Sequence, residues 1–398
     1  MRTAAPSTSR SHASNYLALE AATLSKTIVL SANSDWNVVN FRVGLIKALR
    51  GAGYEPVVIA PRDPAADQRM RELDVERIAV RMDRSGLNPV ADLRLLGDYR
   101  KLLKRLRPKA YLGYTIKPNI YGSYAAGALG IPAIPNVSGL GTAFIRNGPL
   151  QHLVTSLYRL GFRQAPVVFF QNHEDRDLFT RRHIIRPAQG QVLSGSGVDL
   201  GRFQSTPLAS GAPVFLFVGR LLRDKGVVEF VEAARSLRIT MPDARFQLLG
   251  PIDEGNRTAI SRPEVDSWIA QGAIEYLGTT DDVRPAMTAA TAVVLPSYRE
   301  GLPRSLLEAG AMARPLIATD VPGCREVVEH GANGYLCAVR DSASLAAAMR
   351  QMAELPEAER LAMGQAARRK VQDGFGEERV IRAYLHVLAA VEAAQLRS

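Results

Sequence analysis

Two carboxylates flank a loop in the second half of the chain whose residue types suit a phosphorylated ligand. Glu300 and Glu308 follow the apolar run TAVVLP, which predicts a buried strand, and Glu308 falls within an apolar-periodic helix. Pro303 can occupy the first helical position, where its missing N–H is not needed. Free N–H groups around residues 302–305 would then face the loop mouth, where they attract phosphate. The spacing therefore predicts an anion site at this loop.

Two cations lie upstream, in the segment FVGRLLRDKG. Gly219 stands at a predicted strand end, Arg220 follows it, and Lys225 comes just before a helix. Arg220 offers a planar fork and Lys225 a point charge, and both can neutralise a diphosphate leaving group without a metal. The alternative is a pair of solvated loop cations, which are common on protein surfaces. The phosphate-binding loop after residue 298 favours the diphosphate interpretation.

The two glutamates could instead form a glycosidase pair. Eight residues on one helix separate two side chains by about 12 Å. A retaining hydrolase needs its carboxylates roughly 5–5.5 Å apart. Separate contacts to one extended ligand therefore fit better, although Glu308 could also be an ordinary first-turn carboxylate favoured by the helix dipole.

Strands alternate with helices through both halves of the chain, which predicts parallel sheets covered on both faces. The predicted strands are TIVLSA, EPVVIA, ERIAV, KAYLGY, IPAIPNV and PVVFFQN in the first half, and PVFLFVG, ARFQLLG, AIEYLG, TAVVLP, PLIAT and GYLCAV in the second. Helices are expected at 38–49, 93–106, from 118, from 150, from 227, 263–270, from 282, at 306, and over 342–352, 357–370 and 377–396. The expected fold is α/β, two tandem doubly wound Rossmann-like domains with ligands in a cleft between them.

The domain boundaries follow from composition. Residues 1–25 are rich in Ser, Ala and Thr and lack a secretory apolar core, so a disordered tail is expected, with a transit peptide as the alternative. The predicted domains are 26–203 and 213–375, joined by the small and polar linker 204–212. A final helix over 376–398 could pack back on the first domain.

Composition narrows the class of protein. The chain has 398 residues, of which 46% are hydrophobic and 22% charged, and this composition is typical of a globular protein. No apolar stretch reaches the roughly 18 unbroken residues of a membrane span. Cys324 and Cys337 have no CxxC spacing, which indicates a reducing, cytoplasmic setting, and the six histidines form no metal-ligand cluster. No metal and no cofactor are expected.

The net charge of +11 is concentrated in the first half. Residues 26–209 hold 26 Lys and Arg against 14 Asp and Glu, whereas residues 210–398 hold 22 against 24. Such asymmetry indicates an anionic surface or ligand, and the alternative is a solubilising face.

The segment LRLLGDYRKLLKRLRPK could lie on anionic lipid as a basic amphipathic helix, with Leu93, Leu96, Leu103 and Leu106 on one side. Alternatively, the same leucines pack on the sheet. No aromatic-interleaved basic patch indicates nucleic acid.

The second half resembles the retaining glycosyltransferases of family 4, which have the GT-B fold. The likeness lies in G-R-x4-K-G at 219–226, in Glu300 with Gly301 behind it and Glu308 after seven residues, and in DVPGCREVVEHGANGYL. It implies that Arg220 and Lys225 hold the donor diphosphate, Glu308 the ribose and Glu300 the transferred sugar, and that AIEYLGTTDDV contacts the base. The donor-binding residues so implied are Gly219, Arg220, Lys225, Leu277, Gly278, Glu300, Gly301, Leu302, Pro303, Ser305, Leu306 and Glu308.

The first half is similar to a narrower group, the enzymes that extend polyprenyl-diphosphate-linked sugars in bacterial glycan and capsule assembly. The segments YTIKPNIYG, NVSGLGTAF, LYRLGF and FFQNHEDRDLF carry this likeness. It implies an acceptor-binding first domain, a UDP-sugar donor, transfer of an N-acetylhexosamine and a site on the inner face of the plasma membrane. Where many members have a Gly-Gly loop after the first strand, this chain has residues 31–37. Where many have a histidine, it has Lys117 and Asn119.

Lys117 is the catalytic candidate of the first half, where it could stabilise developing charge. The alternative is a solvent-facing cation before the helix start at Pro118. With Glu300, Lys225 and Arg220, it completes the predicted catalytic set of a retaining, metal-independent glycosyltransferase. Two rivals stay open: a nucleotide-sugar epimerase of the same fold, and a family 4 transferase with another donor or a soluble acceptor. A dinucleotide oxidoreductase would need a G-x-G-x-x-G turn, which neither half has.

Overall fold

The computed structural model describes residues 26–83, 88–140 and 149–397, so the predicted tail at 1–25 and residues 141–144 of the motif NVSGLGTAF lie outside the described residues. Two parallel sheets organise the chain, with strand orders β3-β2-β1-β4-β5-β6-β7 and β10-β9-β8-β11-β12-β13. The first contains β1 Thr27–Ser31, β2 Glu55–Ala60, β3 Glu76–Ala79, β4 Ala110–Tyr114, β5 Ala133–Val137, β6 Val168–Phe170 and β7 Gly190–Val192. The second contains β8 Val214–Val218, β9 Arg245–Leu249, β10 Glu275–Tyr276, β11 Ala292–Leu295, β12 Leu316–Thr319 and β13 Gly334–Cys337. The predicted α/β class with two doubly wound sheets is confirmed.

Helices connect the strands of both sheets. Those of the first half are α1 Asp35–Phe41, α2 Val43–Gly51, α3 Asp67–Glu72, α4 Pro89–Leu106, α5 Ser123–Ala128, α6 Pro149–Phe162 and α7 His173–Arg181, with a π-helical turn at Pro118–Gly122 and 3₁₀ turns at Pro64–Ala66 and Pro187–Gln189. Those of the second are α8 Val227–Arg238, α9 Arg262–Ala270, α10 Arg284–Ala289, α11 Arg304–Ala311, α12 Cys324–Val327, α13 Ser342–Glu354, α14 Glu357–Gly374 and α15 Glu377–Gln395, with a 3₁₀ turn at Arg223–Lys225.

The central strands carry apolar side chains on both faces because helices cover both faces of each sheet. All five residues of β4 and all four of β11 are buried, as the continuous apolar runs predict for parallel strands. In each sheet the strand order reverses at one neighbouring pair, β1 with β4 and β8 with β11. Ligands of open α/β sheets bind beyond the carboxyl ends of the strands at such a switch point. Each sheet therefore has one favoured place for a ligand.

The chain divides into two compact units. One runs to Pro135 and takes in Leu160–Pro166 and the chain from Leu388, and the other comprises Asn136–Arg159 and Val167–Val387. Each unit has its own apolar core. The core of the first lies around β1, β2 and β4, and that of the second lies between the six-stranded sheet and its helices.

The helix predicted at 38–49 is two helices. Arg42 separates α1 from α2 with φ −130 and ψ 1, outside helical geometry. Apolar spacing continues across the break, since Val38, Val39, Leu45 and Leu49 are all buried. Because periodicity reports burial rather than backbone continuity, this break could not be predicted from the sequence.

The apolar face predicted for the basic helix was partly wrong. Leu93 is 69% exposed, whereas Leu103 is fully buried, and Leu96 and Leu106 pack partly against the core. The buried stripe of α4 consists of Asp92, Leu95, Tyr99 and Leu103. It begins at Asp92 because that carboxylate pairs with Lys117, a contact invisible to a hydrophobic pattern. Most of this helix therefore packs on the sheet, as the alternative interpretation of these leucines predicted.

The segment predicted as a linker, residues 204–212, lies within the second unit and is partly anchored there. The guanidinium of the fully buried Arg314 donates to the carbonyl of Pro207 at 2.9 Å and to Thr206. Burial lowers the pKa of Arg314 to about 10. These backbone contacts hold the first half of the 204–212 segment in place.

Candidate active site

A lysine and a glutamate meet where β8 and β11 end. Lys225 follows β8, Glu300 follows β11, and Lys225 Nζ donates to Glu300 Oε1 in a salt bridge. The side chain of Glu300 is 11% exposed and that of Lys225 is 25% exposed. Two of the predicted catalytic residues are therefore in direct contact at the switch point of the second sheet.

The turn before α8 sets the position of Lys225. Gly226 has φ +73, and a Cβ on it would lie 2.0 Å from the carbonyl oxygen of Pro296, so only glycine allows this approach. The carbonyl of Asp224 accepts hydrogen bonds from the N–H of Tyr298 at 2.9 Å and from Ser297 Oγ at 3.1 Å. The loops after β8 and β11 are thus hydrogen-bonded at Asp224, on one side of the cation, and closely packed at Gly226, on the other.

The N-terminus of α7 holds the two residues next to Glu300. Asn172 Nδ2 donates to the carbonyl of Gly301 at 2.8 Å, and its Oδ1 caps α7 by accepting from the N–H of Asp175 at 2.8 Å. Asp175 in turn forms a salt bridge with Arg299. Burial raises the pKa of the Asp175 carboxyl, and Arg299 counters that rise. Glu300 is therefore fixed through both of its neighbours along the chain. We term the four residues that do this, Asn172, Asp175, Arg299 and Gly301, the Glu300 clamp.

Sequence reasoning missed three members of the clamp, Asn172, Asp175 and Arg299. An Asn followed after three residues by an acid is a helix N-cap signal, and FFQNHED has that pattern. The signal predicts a cap for α7. The signal does not reveal that the side-chain NH₂ of Asn172 donates to Gly301, a residue 129 positions away.

Gly301 has backbone neighbours on two sides. A Cβ on it would lie 2.3 Å from the carbonyl oxygen of Ser138. Gly323, with φ +80, lies so close that its own Cβ would be 2.5 Å from the carbonyl oxygen of Gly301. The loop after β12 therefore packs on the same peptide that Asn172 binds, and three loops converge at Glu300 and Gly301.

The start of α11 differs slightly from the prediction. The helix begins at Arg304, so Pro303 is its N-cap rather than its first helical residue, and the N–H of Leu306 donates to the Pro303 carbonyl at 3.2 Å. Leu306 therefore has its N–H engaged inside the turn. A phosphate-binding role for the remaining N–H groups, those of Gly301, Leu302 and Ser305 among them, stays a prediction.

Glu308 lies in the second turn of α11 and is nearly buried. Its carboxylate accepts from Arg304 Nε at 2.7 Å, an i,i+4 pair on the helix. Burial raises the pKa of the Glu308 carboxyl, and Arg304 offsets part of this effect. The simple first-turn carboxylate considered above does not describe this residue. A buried carboxylate gains most from a ligand that donates hydrogen bonds to it.

The remaining predicted donor residues line the ends of β8, β9 and β10. The N–H of Gly219 donates to the Leu249 carbonyl at 3.0 Å, and that of Leu277 donates to the Leu248 carbonyl at 2.9 Å. The Gly278 carbonyl accepts from the N–H of Gly250 at 2.9 Å. These bonds extend the sheet to its carboxyl edge and place residues 219 and 278 on it.

Arg220 forms an exposed pair with Asp253 at 2.9 Å. A surface pair of this kind contributes less than about 1 kcal/mol. Its guanidinium can therefore exchange Asp253 for a phosphate at little cost.

Lys117, the candidate of the first half, belongs to the first unit. Lys117 Nζ donates to Asp92 Oδ1 at 2.7 Å, and Tyr121 OH donates to Asp92 Oδ2 at 3.0 Å. The side chains of Lys117 and Asp92 are 11% and 7% exposed, so the solvent-facing alternative is wrong. Lys117 directly precedes the π-helical turn, a feature frequent at functional sites.

Comparisons with known proteins decide the family. Residues 40–195 match the model of the glycosyl transferase 4-like domain, and residues 212–354 match that of glycosyl transferases group 1. The chain is 31% identical over 327 residues to the Campylobacter jejuni N,N'-diacetylbacillosaminyl-diphospho-undecaprenol alpha-1,3-N-acetylgalactosaminyltransferase, covering 78% of this chain and 84% of the relative. The chain belongs to the glycosyltransferases of family 4.

Two further similarities have lower sequence identity. An Escherichia coli UDP-Gal:alpha-D-GlcNAc-diphosphoundecaprenol alpha-1,3-galactosyltransferase is 24% identical over 266 residues, covering 63% of this chain and 68% of the relative. The crystal structure of Anabaena HepE in complex with UDP and glucose aligns over 91% of this chain and 99% of its own, with a TM-score of 0.77 and 17% identity. The latter likeness shows the fold alone, the GT-B fold predicted above.

This family 4 enzyme is thus a transferase of sugars. None of its helices in the described ranges combines the length and apolar character of a membrane span. In those same ranges, His, Cys, Asp and Glu side chains do not gather in a group of three or more that could hold a metal ion.

Proposed function

We propose that this enzyme is a retaining, metal-independent glycosyltransferase that moves an N-acetylhexosamine from a UDP-sugar to a polyprenyl-diphosphate-linked acceptor. The observation that carries the proposal is the Lys225–Glu300 pair at the switch point of the second sheet. At this point the Lys225 cation can bind a diphosphate, and the Glu300 carboxylate can accept hydrogen bonds from sugar hydroxyls. Both polar groups of a nucleotide-sugar are thereby matched at one place.

The chemistry follows from where charge develops. The bond between the anomeric carbon and the diphosphate oxygen breaks, and its electron pair leaves on the diphosphate. Lys225, Arg220 and the N–H groups of Gly301, Leu302 and Ser305 stabilise that negative charge without reorganising. The acceptor hydroxyl attacks from the face that the diphosphate leaves, and its proton passes to the released phosphate oxygen. Retention then needs no side-chain base, and the leaving group needs no metal to carry its charge.

The nucleoside is assigned to Glu308 and the end of β10. Ribose hydroxyls donate to the nearly buried Glu308 carboxylate. These hydrogen bonds stabilise a charged group that burial would otherwise disfavour. The Leu277 N–H and the Gly278 carbonyl are engaged in the sheet. We therefore assign contact with the base to the Leu277 carbonyl and the Gly278 N–H.

The substrates are supported by the relatives. The Campylobacter enzyme is named for transfer of N-acetylgalactosamine to a diphospho-undecaprenol-linked sugar, and the Escherichia coli enzyme for a UDP donor and the same kind of lipid. The first of these spans most of both chains, which favours an N-acetylhexosamine over galactose. Synthesis of cell-surface polysaccharide or glycan is the corresponding role.

Incubation of the purified protein with UDP-N-acetylhexosamines and a synthetic polyprenyl-diphosphate-linked sugar tests this function. We expect an extended lipid-linked glycan in which NMR shows the same α-configuration at the anomeric carbon as in the donor. We also expect that EDTA leaves the transfer activity unchanged. Product with inverted configuration would contradict the retaining mechanism, and loss of activity in EDTA would contradict metal independence. Conversion of the UDP-sugar without acceptor would instead identify an epimerase.

Peripheral attachment to the inner face of the plasma membrane is part of the proposal. The N-terminal part of α4 exposes Val90 and Leu93 beside the exposed Arg94, and Lys101 and Arg105 are exposed further along the same helix. Exposed apolar side chains beside cations suit anionic lipid. We expect Leu93→Ser to weaken binding to vesicles of phosphatidylglycerol and phosphatidylethanolamine. Ile239→Ser, which removes an exposed side chain of the second unit, is the control. Equal binding by both variants would contradict this attachment.

A further inference from the structure

We propose that Arg42 is an anion-binding residue, which takes a phosphate oxygen of a diphosphate at the switch point of the first sheet. Arg42 lies at the break between α1 and α2, where its N–H donates to the Val38 carbonyl and its carbonyl accepts from the N–H of Ile46. The break turns the side chain towards β4. Its guanidinium carbon lies 3.8 Å from the centre of the Tyr114 ring.

The guanidinium is buried and unmatched by a carboxylate. Arg42 is 3% exposed, and its Nε is buried with no hydrogen-bond acceptor among the described residues. In those ranges none of the salt bridges includes Arg42 either. An arginine is always charged, and a buried charge is costly unless it is paired. The Tyr114 ring offsets part of that cost but accepts none of the five N–H donors.

The geometry selects the chemistry of the ligand. A guanidinium that lies over a ring leaves its planar fork of N–H donors to other partners, and that fork matches the paired oxygens of a phosphate. Lys117, three residues beyond Tyr114, is already neutralised by Asp92. Among the described residues, Arg42 is therefore a cation at this end of β4 whose charge no carboxylate balances.

The place in the fold is the one where a ligand is expected. Tyr114 ends β4, and β4 pairs with β1 at the position where the strand order reverses. Thr115, the next residue, has φ +67, which a β-branched residue rarely adopts. Such strain concentrates at binding and catalytic sites. Buried unpaired charge, strand topology and local strain thus coincide at one point.

The inference rests on the proposed function only for the source of the diphosphate, which is either the lipid-linked acceptor or the nucleotide donor. Both present the same chemistry to Arg42. Binding measured by thermal shift separates them. UDP alone reports the donor, and inorganic diphosphate added to UDP-saturated protein reports a second diphosphate site.

The variants are Arg42→Lys, which keeps the charge but loses the fork, and Arg42→Met, which loses both. Lys47→Met, an exposed cation on α2, is the matched control for net charge. We expect the Arg42 variants to bind one of the two probes about tenfold or more weakly, and Lys47→Met to bind both as the unchanged protein does. Arg42→Lys keeps the test available if the methionine variant does not fold.

The outcome also identifies the source. Weakened diphosphate binding with a raised acceptor KM assigns the site to the acceptor, and weakened UDP binding with a raised donor KM assigns it to the donor. Arg42 variants that bind both probes as Lys47→Met does would overturn the inference, leaving Arg42 a packing residue over Tyr114. Because the readout is binding, the site can stand even if the transfer reaction proves different. Absence of any UDP-induced stabilisation would count against the proposed donor instead.

Discussion

The two parallel sheets place cations at equivalent topological positions but neutralise them differently. In the second sheet Lys225 already contacts Glu300, so the proposed diphosphate would replace one anionic partner with another. In the first sheet Lys117 is matched by Asp92, whereas Arg42 contacts an aromatic ring and, among the described residues, no carboxylate. A site whose charges balance internally gives selectivity for a ligand that carries both an anion and hydroxyls. A site with surplus charge gives affinity for the anion itself.

Removing Lys225 should have the largest effect. We expect Lys225→Met to lower kcat about 100- to 1,000-fold, because the charge that builds on the leaving diphosphate loses its closest cation. UDP affinity should fall far less, since free UDP lacks the developing charge. Single-turnover kinetics and UDP titration measure the two quantities. Arg223→Gln, on the same turn but paired with Glu264, is the control and should remain active. Equal losses of kcat and UDP affinity would show that Lys225 serves binding only.

The Lys117–Asp92 pair tests whether the first sheet contributes charge to the chemistry. Lys117→Met leaves a nearly buried carboxylate unpaired and should destabilise the protein by about 3 kcal/mol, measured by urea unfolding. Adding Asp92→Asn should restore much of that stability.

Transfer activity of the double variant then decides the role of Lys117. The predicted catalytic role requires that activity stays low once stability is restored. Recovery of activity together with stability would make the pair a structural one.

The Glu300 clamp accounts for the fixed geometry of the second site, and Asn172 is its member that donates directly to the Gly301 carbonyl. We expect Asn172→Ala to lower kcat about tenfold, because the Gly301 carbonyl loses its donor and Glu300 shifts. Asn172→Ser keeps a capping oxygen for α7 and should lose activity without the full loss of stability.

The control for the clamp is Asn88→Ala. Asn88 Oδ1 caps α4 by accepting from the N–H groups of Val90 and Ala91, so this variant also loses an N-cap, worth about 1 kcal/mol. It should keep its kcat. If both variants lost activity in proportion to stability, the clamp would be a folding element and not a positioning one.

The smallest expected effect is a gain in stability at Glu308. Burial raises the folded-state pKa of this carboxyl above 4.5, so its contribution to stability is full below pH 4.5 and is lost as pH rises through the folded value. At pH 7, Glu308→Gln should therefore raise Tm while weakening UDP binding about tenfold. The gain should vanish as pH falls to about 4.5.

Glu264→Gln is a control of opposite sign. Hydrogen bonds from Ser261 and the Arg223 guanidinium hold the pKa of the Glu264 carboxyl below 4.5. That variant should lower Tm at pH 7, and the loss should disappear as pH falls through the folded-state pKa. A fall in Tm for Glu308→Gln at pH 7 would mean that Arg304 outweighs the effect of burial.

Much of the fold could be predicted from the sequence because burial leaves a local trace. The runs TIVLSA and TAVVLP lie at β1 and β11, and G-R-x4-K-G and Glu300 lie at the ends of β8 and β11. Glycines such as Gly226 mark turns that no other residue can make. Each of these signals is contained within a few residues.

What the sequence could not reveal depends on partners far apart along the chain. The contact of Arg42 with Tyr114, the pair of Lys117 with Asp92 and the bond from Asn172 to Gly301 all join separate elements. The buried start of α4 at Asp92 exists because Lys117 lies 25 residues downstream. Hydrophobic periodicity carries no information about such pairs.

The hold of Arg314 on Thr206 and Pro207 limits where enzymes of this kind can be recombined. A chimaera that joins the second half of one relative to the first half of another has its natural junction before Thr206. A cut made after Pro207 leaves these carbonyls in the sequence of the other parent, whereas a cut made between Thr206 and Pro207 divides the acceptors of one fully buried guanidinium between two unrelated backbones. Swaps that carry residues 206–207 together with Arg314 should keep that guanidinium satisfied, which offers a simple rule for exchanging sugar specificities.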